Sequence, residues 1–177
     1  MKKGDKVLIH AGTGGIGQAA INLALHDGCE VFTTVGTPEK RKFILEKFPQ
    51  IREDHIGNSR DTSFEQMITK LTNGQGVDIV LNSLAEEKLR ASVNCLAWGG
   101  RFLEIGKFDL ASDNPLGMQV FLREISFQGV MLDHVFSASA ESKREVKQLV
   151  SVGLKNGAIK PLIRYLRKLK QLNQNLV

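Results

Sequence analysis

Cysteine and proline are scarce in this chain, and no apolar run is long. Its 177 residues include two cysteines, Cys29 and Cys95, and four prolines. Two thiols in apolar contexts make no disulfide framework. They also form no metal-ligand spacing with each other or with His10, His26, His55 or His134. A reducing compartment and no metal centre are the expectation. Lys2 and Lys3 precede a run from Val7 to Ala11 that is too short for a signal peptide, and no later stretch is long enough to cross a bilayer. The cytoplasm is the expected location, with no membrane partner.

Acids are missing from residues 160–177, which hold Lys160, Arg164, Arg167, Lys168 and Lys170. Across the chain 24 Lys and Arg face 19 Asp and Glu, so these five cations account for the whole net charge of +5. The body before them is balanced, which argues against a nucleic-acid partner. With 42% apolar residues it can build a core. The reading is one domain over residues 1–160 and a basic tail over 161–177.

What the chain does have is glycine in a telling arrangement. Val7 to His10 reads as a strand, and Gly12, Gly14 and Gly17 follow in the G-x-G-x-x-G spacing. Gly12 is expected to allow the tight turn, Gly14 the approach of a pyrophosphate, and Gly17 close packing of helix on strand. Ile16, Ala20, Leu23 and Ala24 then form one expected helical face. Gly12, Thr13, Gly14, Gly15, Ile16 and Gly17 are the candidate dinucleotide cradle, because free N–H groups at a helix start face an anion.

Strand and helix signals alternate from there on. Strands are expected at Cys29 to Val35, near His55-Ile56, at Val77 to Leu81, at Arg101 to Ile105 after the turn Gly99-Gly100, and at Ile125 to Met131. Between them Thr37 caps a helix with Pro38 at its first position, its apolar residues Phe43, Ile44 and Phe48 facing inward. A cap is expected at Asp61 to Ser63, where Ser63 and Gln66 have capping-box spacing, and Asn73-Gly74 stops that helix. Glu86 to Leu96 and Glu141 to Leu154 are helical, the second ended by Asn156-Gly157. About six strands with helices on both faces make a doubly wound parallel sheet, the α/β Rossmann fold.

An acid that binds the adenosine ribose normally stands about 20 residues past the glycines. This chain has none there; Thr34-Val35-Gly36-Thr37 is followed by Lys40 and Arg41. Thr37, Lys40 and Arg41 suit a 2′-phosphate, which favours NADPH over NADH. Cations at a helix amino terminus oppose its dipole, so an anionic ligand explains them better than a solvated helix turn does.

Five segments carry a resemblance: His10 to Ala20, Val31 to Thr37, Asn58 to Phe64, Val80 to Leu89 and Arg101 to Leu110. Together they closely resemble the enoyl reductase of animal-type fatty acid synthase, in the zinc-free branch of the medium-chain dehydrogenase/reductase superfamily. The match runs over about residues 4–162. The resemblance implies NADPH-dependent reduction of a trans-2-enoyl thioester carried on an acyl carrier domain, other domains of a multifunctional synthase as partners, and a homodimer. It also implies Lys107 as proton donor or enolate stabiliser and Asp133 as its partner or alternative, with water as a further candidate donor. Asn82, Ser83 and Gly106 are then expected to line the nicotinamide side.

Family members carry a substrate subdomain ahead of the nucleotide domain and a segment that returns to complete it, and neither is matched in this sequence. After Lys160-Pro161-Leu162, Ile163 to Lys170 reads instead as a short basic amphipathic helix. An intact cofactor site attached to an incomplete acyl site is the expectation. A stand-alone NADPH quinone oxidoreductase relative and a non-catalytic NADPH-binding remnant are the alternatives.

Overall fold

The computed structural model describes residues 1–162, the side chains of residues 134–136 excepted. Six parallel strands, β1 (Lys6–Ile9), β2 (Glu30–Val35), β3 (Ile56–Asn58), β4 (Val77–Asn82), β5 (Leu96–Glu104) and β6 (Ser126–Gly129), form one sheet in the order β3-β2-β1-β4-β5-β6. The expected doubly wound α/β sheet is therefore present. Connections run outward in both directions from β1, so the order reverses between β1 and β4, and a crevice opens at their carboxyl ends.

Alternation along the strands divides the core in two. On one face Leu8, Phe32, Val80 and Phe102 pack under helices α3 (Ser63–Leu71) and α4 (Glu87–Asn94) through Phe64, Ile68, Leu89 and Val93. On the other, Val7, Ile9, Val31 and Ile79 pack under α1 (Gly15–His26) and α2 (Pro38–Lys47) through Ile21, Ala24 and Ile44. Short helices α5 (Phe108–Ala111) and α6 (Leu132–Ser137) follow β5 and β6, and α7 (Ala140–Asn156) ends at Gly157 with φ 81°. Among the described residues no helix is long and apolar enough to cross a membrane.

Several local expectations change. The buried face of α1 is Gly17, Gln18, Ile21 and Ala24, whereas Ile16 is 60% and Leu23 37% exposed. Gly17 lets the start of the helix approach the loop backbone closely, and Gln18, Ile21 and Ala24 complete the buried face. Gly99-Gly100 does not precede the fifth strand but lies within β5, where Val77 pairs with Leu96 and Ile79 with Arg101, so the strand bulges around these glycines. The helix expected to reach Leu96 stops at Asn94. The cap expected at Asp61 to Ser63 comes from Asp61, whose Oδ1 accepts the Ser63 N–H at 2.9 Å, while Ser63 is itself the first helical residue. The basic helix expected over Ile163 to Lys170 lies outside the described residues.

Candidate functional site

The glycine loop leaves β1 at the crevice. His10 N–H donates to the Leu81 carbonyl and Gly12 N–H to Thr34, which fasten the loop to both neighbouring strands. The tight turn expected at Gly12 is present: the Gly14 N–H donates to the Ala11 carbonyl at 2.8 Å around Gly12 and Thr13, and Ala11 enters the turn with φ 53°. Gly12 is required for space: a Cβ there would sit 2.2 Å from Thr33 Oγ1. At Gly17 a Cβ would lie 2.3 Å from the Ala11 carbonyl oxygen and 2.8 Å from Gly12 Cα, so helix and loop touch backbone to backbone. Gly14 and Gly15 are exposed, and Thr13 is half-buried. No acid stands in the first turn of α1, and its leading N–H groups have no intrahelical acceptor. Gln18 donates from Nε2 to the Thr13 carbonyl at 2.9 Å, while its buried Oε1 has no hydrogen-bond partner. An exposed row of amides over packed glycines, with an orphaned acceptor beneath, fits a dinucleotide pyrophosphate and its neighbouring hydroxyls.

At the ends of β2 and β3 a cavity of about 300 Å³ is lined by residues that include Gly36, Thr37, Arg41 and Asn58. Thr37 caps α2, accepting the Lys40 N–H at 3.3 Å, and Lys40 is exposed. Arg41 lines this cavity and is also held by main-chain acceptors. Its guanidinium donates to the carbonyls of Ile56 at 2.5 Å and Glu53 at 2.8 Å, tying α2 to the approach of β3. Arg60, which the sequence reading left unassigned, lies against Gly36; a Cβ on that glycine would come within 2.7 Å of its Nε. A cation directly after the third strand was the available signal.

The other half of the crevice holds the remaining candidates. Asn82 ends β4 and is fully buried, and Ser83 is exposed just beyond it. Asn82 donates from Nδ2 to the Leu84 carbonyl at 2.7 Å and to Glu104 Oε2 at 2.5 Å. Glu104, the last residue of β5, was also missed, although an acid at the end of an apolar strand marks it. Past β5, Lys107 Nζ donates to Asp133 Oδ2 at 2.6 Å. Both side chains are open to solvent, 63% and 74% exposed. An ammonium and a carboxylate paired at strand ends can carry positive charge and exchange protons with a ligand in the crevice.

His10 belongs to the scaffold. It is buried with Nδ1 on Thr34 Oγ1 and Nε2 on Ser92 Oγ, both at 2.8 Å, and burial pushes its pKa from 6.5 down to about 3.

The model of the zinc-binding dehydrogenase family matches residues 15–157. The chain is 47% identical over 152 residues to the lovastatin diketide synthase mokB of Monascus pilosus, covering 86% of this chain and 6% of that protein. Its fold superposes on the nucleotide-binding subdomain of the enoylreductase domain of PpsC from Mycobacterium tuberculosis with a TM-score of 0.81 and 36% identity, over 92% of this chain and 88% of that one. Mycobacterial Rv1454c complexed with NADPH superposes with a TM-score of 0.71 and 27% identity, over 90% of this chain and 49% of that one. The family description names zinc, but among the described residues no group of three or more His, Cys, Asp or Glu could hold a metal ion. Cys29 and Cys95 are buried and belong to no such group, so they do not supply the ligand set of a zinc site.

Proposed function

The chain belongs to the zinc-binding dehydrogenase family, and from that premise we propose that it is the dinucleotide-binding part of an enoyl reductase in a multifunctional, homodimeric synthase. It takes NADPH and serves the reduction of trans-2-enoyl thioesters presented by an acyl carrier domain. The chain spans 6% of the length of its curated relative mokB. A relative such as the highly reducing polyketide synthase phiA, 44% identical over 160 residues, favours a polyketide setting, while the motif resemblance favours fatty acid synthesis; the reductive step is the same in both.

The observation that carries this reading is the Lys107–Asp133 pair at the carboxyl ends of the adjacent strands β5 and β6. When bound, the reduced nicotinamide supplies the hydride for the β-carbon of the enoyl group. Negative charge then gathers on the thioester oxygen, and a proton must reach the α-carbon. Lys107 offers a cation to that oxygen and a proton to that carbon. Asp133 holds the ammonium in place and is the alternative route for the proton, which water can also supply. The amides of Gly15 and Ile16 hold the pyrophosphate, which lies over Gly14, whose own N–H closes the loop on the Ala11 carbonyl. Gly36, Thr37, Lys40 and Arg60 surround the 2′-phosphate, with Arg41 bracing the helix behind them. Asn82, Ser83 and Gly106 border the nicotinamide.

The test follows NADPH oxidation by the full-length synthase with crotonyl thioester and with a small quinone, alongside NADPH binding by the 177-residue chain. Turnover of the thioester and indifference to the quinone are expected. Quinone turnover without thioester turnover would make the protein a quinone oxidoreductase relative. Binding without turnover of either would make it a non-catalytic NADPH-binding remnant.

A further inference from the structure

Glu104 is 1% exposed, and no ion pair among the described residues includes it. A carboxyl group so placed is costly unless its oxygens find donors, and an apolar side chain would fill the space without that cost. Here each oxygen has one: Oε2 accepts from Asn82 Nδ2, and Oε1 from the Gly106 N–H, both at 2.5 Å. The partners belong to different loops. Asn82 folds the exit of β4 around itself, its Oδ1 accepting the Leu84 N–H and its Nδ2 reaching the Leu84 carbonyl. Gly106 immediately precedes Lys107, and a Cβ on it would sit 2.7 Å from Glu104 Oε1, so the carboxyl group leaves room there only for glycine. The main chain adds a third tie, because the Glu104 carbonyl accepts the Val130 N–H at 2.7 Å on the way from β6 to Asp133. Burial raises the pKa of this carboxyl above the usual range, and the donors from Asn82 and Gly106 draw it back.

These three exits all lie in the β4-β5-β6 half of the sheet, across the switch point from the 2′-phosphate cavity. In a doubly wound fold each half takes one mononucleotide, so this half receives the nicotinamide end. We propose that Glu104 is a positioning residue for that end: it clamps the Asn82 loop to the Gly106-Lys107 loop and thereby sets where the nicotinamide rests and where Lys107 is carried. The proposal deepens the functional reading above and rests on it.

Glu104→Gln keeps the shape but turns an N–H toward a donor, from either Asn82 or Gly106. The 177-residue variant is compared with the unaltered chain for binding of NADPH and of 2′,5′-ADP, which lacks the nicotinamide half, with nicotinamide fluorescence as a second readout. The expected result is a loss of about 10-fold in NADPH affinity, as one lost buried hydrogen bond gives. Nicotinamide fluorescence enhancement should fall, while 2′,5′-ADP binding and the folded circular dichroism spectrum stay unchanged. Should Glu104→Gln not fold, Glu104→Asp is read the same way, since it keeps the charge but is too short to span both donors. Equal weakening of both ligands would reduce Glu104 to a structural role and overturn the proposal, as would unchanged NADPH binding in a folded variant. Failure of the unaltered chain to bind either ligand would instead remove the dinucleotide reading itself, and this inference with it.

Discussion

Lys107 Nζ lies 2.6 Å from Asp133 Oδ2, an exposed contact that joins the exit of β5 to the start of α6 across 26 residues of sequence. Exposed ion pairs add little to folding stability, because water screens them and two side chains must be held still. In the proposed function this pair serves instead to hold the Lys107 ammonium in place for the reaction.

Replacing Lys107 with Ala in the full-length synthase should therefore leave NADPH binding and thermal stability unchanged. Its kcat for enoyl thioester reduction should fall by about 100-fold or more, the usual size of a lost acid. Asp133→Asn should cost less, because the ammonium remains. Stopped-flow traces of NADPH oxidation measure both, and unchanged rates would remove the pair from the mechanism.

The phosphate side divides its cations by what each already touches. Arg41 spends its guanidinium on the Ile56 and Glu53 carbonyls, whereas Lys40 is exposed and Arg60 lies against Gly36. Lys40→Ala and Arg60→Ala should weaken NADPH about 10-fold each and leave NADH unaffected, as loss of a charge-assisted contact to the 2′-phosphate requires. Arg41→Ala should instead lower the thermal midpoint and weaken both cofactors alike. Calorimetric titration of the two cofactors against the three variants separates these outcomes.

Two glycines of the loop should behave oppositely. A methyl group on Gly17 would meet Ala11 and Gly12 backbone atoms at 2.3 and 2.8 Å, and neither can step aside. Gly17→Ala should thus destabilise the chain by about 2 kcal/mol or more in urea unfolding. At Gly15 the nearest neighbour is the Leu162 side chain at 3.4 Å, an ordinary contact. Gly15→Ala should keep full stability and lose cofactor affinity, since its methyl group enters the space of the phosphates.

Acid should weaken the fold through His10. Its folded pKa, about 3, lies below the 6.5 of an exposed imidazole. The unfolded chain therefore takes up the proton first, and the stability that neutral His10 contributes above pH 6.5 is lost as pH falls toward 3. The slope from this group is about 1.4 kcal/mol per pH unit within that window. His10→Gln should flatten the difference between urea unfolding at about pH 7 and at about pH 5, and an unaltered difference would contradict the assignment.

Local order along the chain explains what could be read without coordinates. The alternation of strands and helices, the stops at Asn73-Gly74 and Asn156-Gly157, and the cap at Thr37 depend on neighbours a few residues away, and all are found where expected. Lys107 and Asp133 are implied by the resemblance to the enoyl reductases; standing past a strand marks a place where such sheets gather ligands, but does not by itself single out either residue.

The sequence by itself determined a parallel sheet, the place of its glycine loop and the side of the sheet on which chemistry is expected. Each of these follows from periodicity and spacing within one strand-loop-helix unit. Tertiary structure alone decided that Gly12 must leave room for the Thr33 hydroxyl, and that α1 buries Ile21 in place of Leu23. It also turned Arg41 into a brace while setting Arg60 against Gly36, and it joined Glu104 to both Asn82 and Gly106. The physical reason is common to all four: each depends on which strand lies beside which and how closely backbones approach. Those distances arise only when residues far apart in sequence pack together.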